Sequence, residues 1–179
     1  MRLLDLVTGE FVEFSNPSTT PPYAILSHRW DASEQTYHNI REIQRACERN
    51  RQSAASAAPP PLFRFSLRNT NSAIPPQSSR SIWDPDSGLS DKVRGACEAA
   101  PKDGLQYLWI DSCCIDKTSN SELSESINSM FAWYRDAEVC YTFLADVPTS
   151  PSALLGLKGS AFRSSVWLTR GWTLRELIA

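Results

Sequence analysis

The sequence predicts an α/β fold: a mainly parallel central sheet with helices on both faces, an N-terminal hairpin and a disordered insertion. Two observations carry this. Short apolar, β-branched runs alternate with stretches whose apolar residues recur at helical spacing, the pattern of strand–helix–strand units. The runs Tyr23–His28 and Tyr107–Asp111 are apolar at nearly every position rather than at every second one, as strands buried on both faces are.

Met1–Val7 and Glu10–Phe14 flank Thr8-Gly9, a turn pair that predicts the hairpin. Tyr23–His28 follows Pro21-Pro22 as a buried strand. Tyr37–Arg49 carries Ile40, Ile43 and Cys47 on one helical face. Residues 50–88 contain 8 of the chain's Ser and 6 of its 12 Pro, four Arg, two Asp and neither Lys nor Glu, so they read as a mostly disordered low-complexity insertion in which Phe63, Phe65 and Trp83 dock at most locally. A Pro-rich ligand for a partner module is the functional alternative. Ser90–Ala100 forms a helix with Ser90 as N-cap and Val93, Ala96, Cys97 and Ala100 on its apolar face, ended by Lys102-Asp103-Gly104. After the Tyr107–Asp111 strand, Ser119-Asn120-Ser121-Glu122 fits a capping box and opens a helix whose apolar face is Leu123, Ile127, Met130, Phe131 and Tyr134. Val139–Ala145 is a further strand, and Thr173–Ile178 begins a last helix.

With 179 residues, 41% of them hydrophobic and 21% charged, the chain is expected to fold as one domain, 1–179. A net charge of -2 and a pI near 5.7 argue against a nucleic-acid partner. No apolar run is long enough to span a bilayer, so no membrane partner is expected. The acid in Met1-Arg2-Leu3-Leu4-Asp5-Leu6 interrupts what a secretory signal needs, and five cysteines is an odd count; reduced thiols and a cytoplasmic location are the expectation.

In a sheet of this kind, ligands bind beyond the carboxyl ends of the strands. The residues there are Ser27-His28-Arg29-Trp30, the run Asp111 to Asp116, and Asp146. No glycine stands between Gly9 and Gly88, so neither a Walker loop nor a dinucleotide fingerprint exists there. No metal site is expected, since only His28 and His38 are available and no cysteine pair has the spacing of a zinc site. Cys113 and Cys114 at a strand end point to opposite faces, read as one core thiol and one loop thiol; a Cys–His nucleophilic pair with His28 is the alternative. Asp111, Asp116 and Asp146 either cap helices and turns or line a polar crevice. Ser164 to Leu177 is the densest stretch of functional residue types. Trp172 and Glu176 share one face of a helix, where an indole beside a carboxylate would raise its pKa; the same face serves equally as ordinary core.

Three stretches together resemble the signature blocks of fungal heterokaryon incompatibility (HET) domains. They are Tyr23-Ala24-Ile25-Leu26-Ser27-His28-Arg29-Trp30, then Leu105 to Lys117 continuing to Tyr134, then Arg170-Gly171-Trp172-Thr173-Leu174-Arg175-Glu176-Leu177. The blocks span 23–30, 105–134 and 170–178, with the 50–88 stretch outside them. Arg29 and Arg175 depart from the family's usual Thr and Gln. The block order is also similar to Toll/interleukin receptor (TIR) domains. The resemblance implies a TIR-like fold and a role in fungal nonself recognition and programmed cell death. It further implies cleavage of NAD, as substrate rather than bound cofactor, to nicotinamide and ADP-ribose. Glu176 matches the catalytic glutamate of the NAD-cleaving TIR domains. Ser27, His28, Arg29, Trp30, Asp111, Asp116, Arg170 and Trp172 are the expected binding residues, with Arg29 or Arg170 at the pyrophosphate and Trp30 or Trp172 stacked on a ring. The alternatives are a non-enzymatic module that self-associates or binds a signalling protein, and an inactive remnant, since HET domains often precede long C-terminal regions and TIR-like folds continue past this helix.

Overall fold

In the computed structural model, residues 1–56, 81–148 and 160–171 are described, together with Thr173, Glu176 and Ala179. Their centre is a five-stranded sheet in the order β2-β1-β4-β3-β5, made of β1 (Arg2–Asp5), β2 (Phe11–Glu13), β3 (Tyr23–His28), β4 (Tyr107–Ile110) and β5 (Val139–Phe143). β3 pairs parallel with β4 and β5, whereas β1 pairs antiparallel with both β2 and β4. The sheet is therefore mixed, not mainly parallel. The hairpin, read as a separate N-terminal feature, is built into the sheet beside β4. Its turn needs Gly9, whose φ of +75° favours glycine, and whose missing Cβ leaves room for Ile82 Cγ1, 2.8 Å from where that atom would stand.

Strand alternation sends side chains to two cores. Leu4, Ala24, Leu26, Leu108 and Ile110 face α1 (Tyr37–Ser56) and α2 (Asp91–Ala99) with Ile40, Cys47 and Val93. Leu3, Tyr23, Ile25 and Trp109 face α4 (Asn120–Arg135) with Tyr134. Trp109 packs edge-on against Trp133 and Tyr134, at 5.5 and 5.9 Å between ring centres.

The helices begin where the caps say. Ser90 Oγ accepts the Val93 amide, and Ser119 Oγ accepts the Glu122 amide. The return arm of the Ser119 capping box is diverted: Glu122 Oε1 accepts the Asp116 amide at 2.8 Å and the Arg2 guanidinium at 2.7 Å. Arg2 also bonds Glu13, so β1, β2 and α4 share one clamp.

Parts of the stretch read as insertion have regular places. Residues 50–56 continue α1, while Ile82 is buried and Trp83 packs on the first core. Arg94 of α2 holds this return segment through the carbonyls of Trp83 and Asp84. Phe63 and Phe65 lie outside the described residues. On α4 the buried side is Leu123, Ser126, Met130, Trp133 and Tyr134; Ile127 and Phe131 are 40% and 43% exposed. Asp111 opens a one-turn helix, α3 (Asp111–Cys114), which buries both Cys113 and Cys114, so neither is a loop thiol. The two do enter opposite cores, Cys113 toward α1 and α2, Cys114 toward α4. Burial pushes both thiols up, Cys114 to about 12, which removes the thiolate a Cys–His pair would need.

Candidate functional site

β3 ends on two buried polar residues, Ser27 and His28, at 0% and 2% exposure. Alternation puts Ser27 on the α4 side of the sheet and His28 on the α1/α2 side. Each meets one glutamate.

On the α4 side, Ser27 Oγ donates to the carboxylate of Glu176, and the indole Nε1–H of Trp167 donates to Ser27 Oγ at 2.9 Å. Glu176 stands in a segment with helical backbone at Gly171, Thr173 and Glu176. Thr173 and Trp167 are buried, and Thr173 Oγ1 ties them by donating to the Trp167 carbonyl at 2.7 Å. Arg170 donates to the His28 carbonyl. Burial raises the pKa of Glu176, against the opposing pull of the Ser27 hydroxyl and the Arg170 charge, and the Asp111 charge adds to the rise. Burial drives the phenol pKa of Tyr134 of α4 upward, and the Glu176 charge adds to the rise.

On the other side, His28 Nε2 lies 3.1 Å from Glu34 Oε1 and 3.6 Å from Asp111 Oδ1. Ionised carboxylates only accept, so Nε2 carries the hydrogen. Glu34 in turn holds Lys92 Nζ at 2.5 Å, and Lys92 also reaches Asp31 at 3.2 Å and the Arg29 carbonyl. Burial acts to raise Glu34, but the bonds from His28 and Lys92 prevail and hold it down at about 2. Asp111 accepts the Trp30 indole N–H on both oxygens, at 3.1 and 2.9 Å, and Lys117 Nζ sits 3.1 Å above the Trp30 ring.

Between the ends of β3 and β5 opens a pocket of about 440 Å³ lined by Arg29, Trp30, Phe143, Asp146, Val166 and Trp167, among others. Asp146 is engaged by the Val166 amide and the Ser165 hydroxyl, both at 2.8 Å. Trp30, Phe143 and Val166 are each about two-fifths exposed. Arg29 makes no side-chain hydrogen bond or ion pair among the described residues, and its charge helps hold Asp146, on the same pocket wall, below the usual carboxylate range after the Val166 and Ser165 bonds.

Of the expected site residues, the structure brings together Ser27, His28, Asp111, Arg170 and Glu176, with Trp30 on Asp111 and Arg29 at the pocket. Asp116 does not join them. It caps a turn, accepting from Thr118, and lies 3.1 Å from His38 of α1. Trp172 lies outside the described residues. Lys92, Glu34 and Asp31 were not singled out by sequence, and Trp167 was covered only as part of the Ser164 to Leu177 stretch. Lys92 had a signal, a lysine one turn before Ala96 on the apolar face of α2. Trp167 had the general one that a buried indole needs an acceptor. Glu34 had none.

Fold and site together define an α/β domain that keeps a hydroxyl-held carboxylate just beyond the carboxyl ends of its parallel strands. The chain belongs to the heterokaryon incompatibility (HET) family, whose model, described as heterokaryon incompatibility protein, matches residues 23–158. It is similar to the vegetative incompatibility protein HET-E-1 of Podospora anserina, 37% identical over 164 residues that cover 89% of this chain and 9% of that protein. The chain thus spans less than a tenth of the length of this relative. No solved structure matches. Arg170 and Glu176 lie beyond the family-matched residues, so their place in the site rests on geometry.

Proposed function

We propose that this domain is the effector part of a fungal nonself-recognition protein in the cytoplasm, leading to programmed cell death, and that it acts as TIR domains do, by hydrolysing NAD to nicotinamide and ADP-ribose. The observation that carries this is Glu176: a half-buried carboxylate held by the neutral Ser27 hydroxyl, which also accepts from Trp167, a wall of the pocket that Arg29 and Trp30 line. In the reaction, the bond from the ribose C1′ to the pyridinium nitrogen breaks, and its electron pair stays on the nitrogen, so neutral nicotinamide leaves without a general acid. Glu176 stabilises the oxocarbenium-like ribose that forms. Water then bonds to C1′ and gives its proton to solvent. Arg29 meets the pyrophosphate and Trp30 stacks on a ring of the substrate.

A second reading has its own observation. Ile127 and Phe131 lie one turn apart, both exposed, on α4. They fit a module that works by self-association or by binding a signalling protein. The test is nicotinamide release by the purified chain over a range of concentrations. Release that Glu176→Gln abolishes with the fold retained supports the enzyme. No release at any concentration, with toxicity in cells unchanged by Glu176→Gln, overturns it in favour of assembly.

A further inference from the structure

Trp167 touches both halves of the site. One side of the residue lines the pocket with Arg29 and Trp30; its Nε1–H reaches Ser27, 140 residues earlier in the chain. It is 3% exposed, and its backbone is fixed at both ends, the amide by Ser165 Oγ at 3.3 Å and the carbonyl by Thr173 Oγ1 and the Arg170 amide.

The direction of the proton follows from the donor and acceptor inventory. An indole nitrogen only donates, an ionised carboxylate only accepts, and a serine hydroxyl has one hydrogen. With Trp167 donating to Ser27 Oγ, the single Ser27 hydrogen has the Glu176 oxygen as its partner. We propose that Trp167 is a positioning residue for Glu176, committing the Ser27 hydroxyl to the carboxylate and linking that bond to whatever occupies the pocket it walls. This rests on the reading of Glu176 as the reacting carboxylate only in its activity readout.

The relay strengthens one bond among several influences. Glu176 is faced by Ser27 and His28 from β3, Asp111 after β4, Tyr134 from α4, Cys140 from β5, and Arg170 before its own segment. Burial and Asp111 favour the neutral acid; Ser27, Arg170 and His28 favour the carboxylate. A hydroxyl that accepts from an indole is the stronger donor to its own acceptor. Removing the indole N–H therefore raises the Glu176 midpoint, and does so through Ser27.

The experiment is a double-mutant cycle on the full chain, read by ¹³C NMR titration of the Glu176 side-chain carboxyl. Trp167→Phe keeps an aromatic ring, a smaller one, and removes the donor; Ser27→Ala removes the hydroxyl. The expected result is an upward shift of a few tenths of a pH unit in Trp167→Phe, a larger one in Ser27→Ala, and no additional effect of Trp167→Phe when Ser27 is already Ala. An unchanged midpoint in Trp167→Phe, or an equal shift in both backgrounds, overturns the proposal. Should Trp167→Phe fail to fold, the wild-type chain decides. The Trp167 indole N–H resonance follows pH with the Glu176 midpoint if the relay exists, and an indole resonance indifferent to pH overturns it. In the NAD assay the acid limb of the rate profile moves up in Trp167→Phe. A wild type that cleaves no NAD refutes the enzymatic reading, while the titrations still judge the relay.

Discussion

Ser27 and His28 are neighbours in sequence, yet they serve opposite faces of the sheet and hold two glutamates in opposite conditions. Glu34, on the α1/α2 side, is clamped by Lys92 and His28 and held at about 2. Glu176, on the α4 side, bonds only the Ser27 hydroxyl among the described residues, and burial pushes it up against the pull of that bond and of the Arg170 charge. The difference separates a carboxylate whose charge is matched by two side-chain partners, Lys92 and His28, from one that, among the described residues, is bonded by a neutral hydroxyl. A fully paired carboxylate has nothing to offer a developing cation, whereas a desolvated and underpaired one does.

The largest expected effect lies on the paired side. Glu34→Ala leaves Lys92 Nζ nearly buried, with Asp31 as its remaining carboxylate, and leaves His28 Nε2 with Asp111, 3.6 Å away, as its remaining partner among the described residues. Breaking a buried pair from one side costs several kcal/mol; about 3 kcal/mol is expected, at the low end because Asp31 remains. Urea unfolding of the variant checks this. Asp31→Ala is the control. Its side chain is 55% exposed, so the loss is much smaller, and a loss equal to that of Glu34→Ala breaks the comparison.

Acid is a gentler probe of the same contrast. The folded pKa of Glu34 lies below its unfolded value, so its contribution is fully present above about 4.5 and is lost as pH falls toward about 2. The urea midpoint of the wild type should fall through that window, and Glu34→Ala should flatten the fall. A wild-type profile as flat as that of the variant contradicts the pairing.

The sequence disclosed the elements better than their assembly. Tyr23–His28 is a strand over the very residues of its apolar run, and Ser90 and Ser119 cap as their chemistry requires. The antiparallel docking of β1 on β4 was not legible, because it pairs Leu4 with Leu108 across a hundred residues and no local pattern encodes it. The exposure of Ile127 and Phe131 was not legible either: helical spacing defines a face, but the narrow contact of α4 with Trp109 decides which part of it is buried. Within the site, strand-end position and the family resemblance pointed to Ser27, His28, Asp111 and Glu176. Nothing in the chain announced that Trp167 would meet Ser27, since an indole among apolar residues reads as core until its N–H is followed to its acceptor.

The smallest expected effect is on the underpaired side, where Glu176→Gln should change stability by no more than about 1 kcal/mol at neutral pH. The amide oxygen still accepts the Ser27 hydrogen, so the bond survives. The sign follows from the direction of the shift. Because the folded pKa of Glu176 is raised, folding disfavours its charged form at neutral pH, and the uncharged variant is equal to the wild type or slightly more stable. As pH falls through that raised pKa the wild type takes up its proton, and the two unfolding curves converge. Stability gained or kept on replacing a half-buried carboxylate marks a residue retained for something other than the fold. A loss as large as that of Glu34→Ala would instead make Glu176 a structural charge and remove the asymmetry between the two faces.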